Sequence, residues 1–121
     1  MTKQATLLIG LPGSGKTYLG KNLTGFFIDD PKEKPELNHD KLVIADPNLC
    51  MENVRKKAIS YLQESGYEVS FIYFENDPKQ CLKNVENRND GRKVENTINI
   101  LTKMYNIPKG ITPLKVYQGD N

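Results

Sequence analysis

The sequence predicts an α/β fold of three layers, in which helices cover both faces of a mostly parallel sheet of about five strands. Two observations lead to this fold class. Short apolar runs alternate with helix-like segments along the 121 residues, which is typical of parallel strands joined by helical crossovers. The stretch Gly10–Thr17 follows the first apolar run and fits a glycine-rich pattern that joins a strand to a helix. We expect a single domain spanning residues 1–121.

The apolar runs define the predicted strands. In chain order they are residues 6–9, 25–28, 42–45, 67–74 and 114–117. The fourth run is the most apolar, so we expect it to be the central strand, covered on both faces. A polar connection with two prolines, residues 31–40, joins the second strand to the third.

Periodicity and capping residues define the predicted helices, which span residues 18–22, about 49–65, 78–88 and a segment around 98–105. Asn48 is the predicted cap of the second helix and Gly66 its end. Asp77 is the predicted cap of the third, because a proline and then Gln80 follow it.

Composition limits the classes of function. A net charge of +2 argues against general polyanion binding, so any basic site must be local. No apolar run approaches the length of a membrane span, and the N-terminus leads directly into the first strand, so we expect a cytoplasmic protein with no membrane partner. Cys50 and Cys81 are too few and too far apart for a metal site or a disulfide framework, so we expect reduced, partly buried thiols.

The glycine-rich stretch carries the strongest chemical signal. Its glycines let consecutive backbone N–H groups converge on phosphate oxygens. Lys16 is predicted to reach the β and γ phosphates of a nucleoside triphosphate, and the Thr17 hydroxyl to ligate Mg²⁺. ATP is the default nucleotide, because the sequence has no Asn-Lys-x-Asp motif to read guanine. The predicted nucleotide-binding residues are Gly10, Pro12, Gly13, Ser14, Gly15, Lys16, Thr17, Tyr18 and Arg92.

Acidic residues follow the predicted strands, at the edge where open parallel sheets bind ligands. Asp46 ends an apolar run and is predicted to help organise Mg²⁺; its alternative role is a turn cap. Asp29 and Asp30 are candidates for the base that orients an attacking hydroxyl, and a solvated turn is their alternative. Asp29 is slightly favoured.

The segment from Arg88 to Lys93 places three cations around a glycine between two helices. Such a segment can close over a triphosphate and stabilise charge on the transferring group. We therefore predict a lid at about residues 88–94, with Arg88 and Arg92 as catalytic residues beside Lys16. A solvated surface is the alternative, and His39 is interpreted as a surface residue.

These motifs, in this order, resemble the kinase domain of phage-type 5′-polynucleotide kinases, a group of small P-loop kinases. The resemblance extends from the Gly10–Thr17 stretch through the strand, Asp and Asn-Leu of residues 43–49 to the arginines at 88 and 92. It implies ATP and Mg²⁺ as cofactors, a general-base aspartate at the end of the second strand, and lid arginines that contact the phosphate donor. The implied acceptor is a nucleic-acid 5′ end or a small nucleotide.

The chain departs from that family in its acceptor region. Where the family has an arginine that grips the acceptor's phosphate, residues 31–34 offer only lysines, which lack the planar fork of arginine. The family also has several helices where only about a dozen residues join the second and third strands here.

The first hypothesis is therefore an ATP-dependent kinase acting on a hydroxyl. The second hypothesis is a nucleotide-binding module with a reduced acceptor site, which acts as a regulator or binds a partner. The third is a nucleotide-hydrolysing switch or motor. The oligomeric state stays open.

Overall fold

The computed structural model describes residues 3–29, 38–88 and 94–118. Its elements, in chain order, are β1 (Lys3–Ile9), α1 (Lys16–Asn22), β2 (Phe26–Asp29), β3 (Lys41–Ala45), a short 3₁₀ helix (Pro47–Cys50), α2 (Glu52–Glu64), β4 (Tyr67–Tyr73), α3 (Pro78–Arg88) and α4 (Glu95–Met104). A parallel sheet combined with helices confirms the predicted α/β class. Most of the predicted connection at residues 31–40 lies outside the described ranges.

The four strands form one sheet in the order β2-β3-β1-β4, and every pair of neighbours is parallel. The predicted fifth strand is not formed in the described chain. Leu114 makes only an isolated parallel bridge to Phe74. Beyond that bridge the chain leaves β4, and the backbone N–H of Tyr117 donates to the carbonyl of Ser14 instead. The backbone of Tyr117 is therefore hydrogen-bonded to a loop and not to a neighbouring strand.

The prediction that residues 67–74 form the central strand was wrong. β1 lies between β3 and β4, and Leu7, Leu8 and Ile9 at its carboxyl end are fully buried. β4 lies at the side of the sheet, with the Phe71 side chain 38% exposed. An apolar run indicates side-chain chemistry, whereas the position of a strand is set by which neighbours pair with it.

Side chains of β1 point alternately to two apolar clusters, one on each face of the sheet. Leu7 packs in a cluster with Leu62 of α2 and Leu101 of α4. Leu8 packs in the other cluster, against Leu19 of α1 and other residues. Helices therefore cover both faces, as an arrangement of three layers requires.

Two helix starts are set by aspartate caps. The carboxylate of Asp46 accepts from the backbone N–H of Asn48 at 2.9 Å and begins the 3₁₀ helix. The predicted cap at Asn48 was therefore wrong, and α2 begins only at Glu52. Asp77 accepts from the N–H of Gln80 at 3.2 Å, which confirms the predicted cap of α3.

None of the helices in the described ranges is both long and apolar enough to pass through a membrane.

Candidate functional site

The Gly10–Thr17 stretch, called the glycine-rich loop below, links the end of β1 to the start of α1. Gly13 and Gly15 have φ angles of +85° and +105°, which side chains with a Cβ rarely adopt. A Cβ on Gly13 would also lie 2.6 Å from the carbonyl oxygen of Cys81 in α3. Glycine at this position therefore allows both the turn and the close approach of α3.

Lys16 points into the loop that contains it. Its ammonium nitrogen donates to the carbonyl oxygens of Gly10 and Leu11, both at 2.8 Å, and lies 3.2 Å from the hydroxyl of Ser14. The residue is only 7% exposed and Ser14 is fully buried. A buried ammonium needs such partners, because an unpaired charge in the interior is strongly unfavourable.

Burial lowers the pKa of Lys16 from its ordinary value of 10.5 to about 8, while the carboxylates of Asp29 and Asp46 act in the opposite direction. The thiols of Cys50 and Cys81 lie beside this lysine and are fully buried, more completely than the sequence indicated. Burial raises their pKa values to about 12 and about 11. They are therefore neutral near pH 7, and the carboxylates are the groups that favour the charged lysine.

Asp29 and Thr17 meet at the carboxyl edge of the sheet. The Thr17 hydroxyl donates to a carboxylate oxygen of Asp29 at 3.0 Å. In the strand register, Asp29 lies beside Ala45 of β3, and Ala45 lies beside Leu8 of β1. The end of β2, the end of β3 and the start of the glycine-rich loop therefore come to one edge, as the sequence predicted for strand ends.

Asp46 follows β3 at the same edge, between Asp29 and the glycine-rich loop in strand order. Its contact with the N–H of Asn48 confirms the capping role that the sequence offered as an alternative. The predicted metal role of Asp46 stays a prediction. Within the ranges that the structure describes, no group of three or more His, Cys, Asp or Glu side chains is placed to hold a metal ion.

Two exposed tyrosines lie at the rim of the loop. The rings of Tyr18 and Tyr117 stack with centroids 5.6 Å apart and an angle of 27° between their planes. Tyr18 is 67% and Tyr117 42% exposed. The bond from Tyr117 N–H to the Ser14 carbonyl, at 3.0 Å, fixes this pair beside the loop.

Asn84 of α3 connects three parts of the site. Its side-chain amide donates to the carbonyl of Gly13 at 2.8 Å and to the carbonyl of Tyr117, and its oxygen accepts from Gln80 at 2.9 Å. Sequence analysis did not identify Asn84, because its partner Gly13 is 71 residues away and no local pattern marks the contact.

Arg55 of α2 was also missed. It is 7% exposed, and its guanidinium donates to the carbonyls of Leu49 and Cys50 at 3.0 and 3.1 Å. It thereby ties the 3₁₀ helix that Asp46 caps to α2. A signal was present, since residue 55 falls on the apolar stripe of α2, four residues after Met51 and seven before Leu62.

The remaining predicted residues fall into two groups. Asp30, Arg92 and most of the predicted lid at 88–94 lie outside the described residues, and Arg88 is the last residue of α3, with a side chain that is not described. His39 precedes β3 at the amino ends of the strands and stacks on Phe26, with 4.0 Å between ring centroids. It therefore lies at the edge opposite to Thr17 and Asp29.

No protein-family model matches the chain. An uncharacterized protein of Acanthamoeba polyphaga mimivirus is 40% identical to it over an alignment of 108 residues that covers 77% of this chain and 78% of the viral protein. The chain belongs to the same family as this mimivirus protein. Because that protein is uncharacterized, the family relationship assigns no activity to this chain.

The substitution Lys16→Met is expected to change how the free energy of unfolding of this protein depends on pH. Between pH 8 and 10.5 the unfolded chain binds more protons at Lys16 than the folded protein does, so wild type gains stability as pH rises. From pH 7.5 to 10, wild type should gain on the order of 2 kcal/mol relative to the variant. Urea unfolding at both pH values measures this.

The control is Lys21→Met, which removes an exposed lysine from the last turn of the same helix. A stability difference between Lys16→Met and wild type that is the same at both pH values would contradict the lowered pKa of Lys16.

Gly13→Ala is expected to destabilise the fold by at least about 2 kcal/mol, because the left-handed backbone costs about 1–2 kcal/mol and the new Cβ meets a carbonyl oxygen. Gly66→Ala is the matched control, since Gly66 has a φ of +92° but nothing within 4 Å of an added Cβ. It should cost only about 1 kcal/mol. Equal losses in urea unfolding would show that the contact with Cys81 is unimportant.

Proposed function

We propose that the protein is a small P-loop kinase that transfers the γ-phosphate of ATP to a hydroxyl acceptor. The 5′-hydroxyl of a polynucleotide or of a related nucleotide is the acceptor class that the sequence resemblance favours. One observation carries the proposal. Lys16 lies inside a glycine-rich loop between a buried strand and a helix, and the next residue, Thr17, contacts the acidic end of β2.

The loop and Lys16 would hold the triphosphate. The ammonium is now bonded to backbone carbonyls, which are neutral acceptors. Phosphate oxygens carry charge and form stronger hydrogen bonds with an ammonium, so exchange of these partners favours binding. A triphosphate beside Lys16 would also raise its pKa again, because the opposite charge stabilises the protonated amine.

The oxygen atoms at this edge fit Mg²⁺, a hard cation that proteins commonly bind with one or two carboxylates, phosphate oxygens and water. Thr17 and Asp46 would hold it, as the sequence predicts. Bound there, the ion would neutralise charge on the β and γ phosphates.

The Tyr18–Tyr117 pair is a suitable site for the nucleobase. Both rings have exposed faces, and both are adjacent to the loop: Tyr18 follows Thr17, and Tyr117 is bonded to Ser14. Stacking on aromatic rings tolerates any base, which is consistent with a sequence that has no guanine-reading motif.

Phosphoryl transfer needs mainly positioning and charge neutralisation, with a carboxylate to orient the nucleophile. Asp29 or Asp30 would supply that carboxylate at the end of β2. Arg88 and Arg92 would neutralise the charge that develops on the transferring group.

The alternative is a nucleotide-binding module with a reduced acceptor site. It is favoured by the short connection between β2 and β3, in which only residues 30–40 lie between Asp29 and Lys41.

The deciding experiment follows label from γ-labelled ATP and Mg²⁺ to a 5′-hydroxyl oligonucleotide, with nucleosides and nucleoside monophosphates in parallel. Label on one acceptor class establishes the kinase and identifies its substrate. Lys16→Ala should abolish transfer and sharply weaken nucleotide binding, whereas Lys21→Ala on the same helix should do neither. Binding of ATP without labelling of any acceptor would favour the module, and absence of ATP binding would refute both.

Tyr18→Ala and Tyr117→Ala are expected to weaken ATP binding by about 1–3 kcal/mol, because each removes a stacking ring. Affinity for inorganic tripolyphosphate, which has no base, should stay unchanged. Phe26→Ala is the control, since Phe26 is an exposed aromatic at the opposite edge of the sheet. Isothermal titration calorimetry measures all of these affinities, and an equal loss for both ligands would exclude a base site here.

A further inference from the structure

The hydrogen bond between Thr17 and Asp29 has a defined direction. A carboxylate can only accept, so the Thr17 hydroxyl is the donor, and its proton points to Asp29. The lone pairs of the hydroxyl oxygen consequently point elsewhere. A metal ion binds a hydroxyl through those lone pairs, so the direction of this bond affects whether Thr17 is ready to act as a ligand.

The carbonyls three and four residues before Thr17 already accept hydrogen bonds from other parts of the chain. A helical threonine commonly turns its hydroxyl to the carbonyl three or four residues earlier. For Thr17 these residues are Ser14 and Gly13, which lie in the loop before α1 begins at Lys16. Ser14 accepts from the N–H of Tyr117, and Gly13 accepts from Asn84. The Thr17 hydroxyl donates across the site to Asp29 instead.

We propose that Asp29 is a positioning residue for the divalent cation, which holds the Thr17 hydroxyl with its lone pairs directed toward the metal. The inference rests on the proposed binding of a magnesium–nucleotide complex. Outer partners of this kind orient a ligand and strengthen it as a donor. Asp29 then has a role on the metal side of the reaction, separate from the orientation of the acceptor hydroxyl by Asp29 or Asp30.

The structure also explains how a residue of β2 can reach this ligand. β2 and β1 are not neighbours, because β3 lies between them. The residue of β3 in register with Asp29 is Ala45, whose small side chain lies with Leu19 of α1 in the same apolar cluster. A short side chain at residue 45 lets α1 lie close to the sheet, and this brings Thr17 within hydrogen-bond distance of Asp29.

The test compares two substitutions of Asp29. Asn retains an oxygen that accepts from Thr17 but cannot act as a base, whereas Ala removes both properties. The readout is binding of a non-hydrolysable ATP analogue, measured by calorimetry with and without Mg²⁺. Asp29→Ala should lower the apparent Mg²⁺ affinity of the nucleotide complex about 10- to 100-fold, and Asp29→Asn should stay near wild type.

Matched variants of Thr17 complete a double-mutant cycle. Thr17→Ser retains the hydroxyl and should bind Mg²⁺ like wild type, whereas Thr17→Val removes the ligand itself and should lose at least as much affinity as Asp29→Ala. Adding Asp29→Ala to Thr17→Val should cause no further loss, because without a hydroxyl at residue 17 Asp29 has no ligand to position. Asp40→Ala, at the amino edge of the sheet, controls for the loss of one carboxylate.

Two results would overturn the proposal while leaving nucleotide binding intact. In one, Asp29→Ala retains the full effect of Mg²⁺ on binding; in the other, Asp29→Asn loses as much as Asp29→Ala, so that charge and not hydrogen bonding is responsible. Failure of the wild-type protein to bind the analogue with or without Mg²⁺ would instead refute the proposed function, and this inference with it. Urea unfolding of each variant verifies that it is folded.

Discussion

The buried ammonium of Lys16 is the interaction on which the candidate site depends. A charge in the interior is tolerated only when it has polar partners, and here the carbonyls of Gly10 and Leu11 provide them. The loop must curve around the side chain to present these oxygens. Positive φ angles at Gly13 and Gly15 make that curvature possible.

The loop is also held from outside, by donors that come from distant parts of the chain. Asn84 donates to Gly13, and the backbone of Tyr117 donates to Ser14. Tyr105, after α4, donates its buried hydroxyl to the carbonyl of Ile9, directly before the loop. Carbonyls along the loop and beside it are thus occupied by the protein, and this gives the loop a fixed shape against α3 and the C-terminal segment.

Sequence reasoning succeeded where the determinant is local. The glycine pattern, the cap at Asp77 and the acidic ends of β2 and β3 depend on neighbouring residues, and they lie in the structure where the pattern indicated. Sequence reasoning failed where the structure depends on contacts between residues that are distant in the sequence. The position of β4 and the missing fifth strand depend on which backbone groups meet, and the contacts of Asn84 join residues that nothing in the local sequence relates.

The bond between Tyr117 and Ser14 has a consequence for the order of folding. During synthesis the glycine-rich loop emerges well before two of its outside donors, Asn84 and Tyr117. Contacts of such large sequence separation form slowly, because a long stretch of chain must be ordered before they can close. The loop is therefore made before these donors and reaches its final shape only after both have been added. A nascent chain that stops short of Tyr117 would contain every residue of the loop and still lack the finished site.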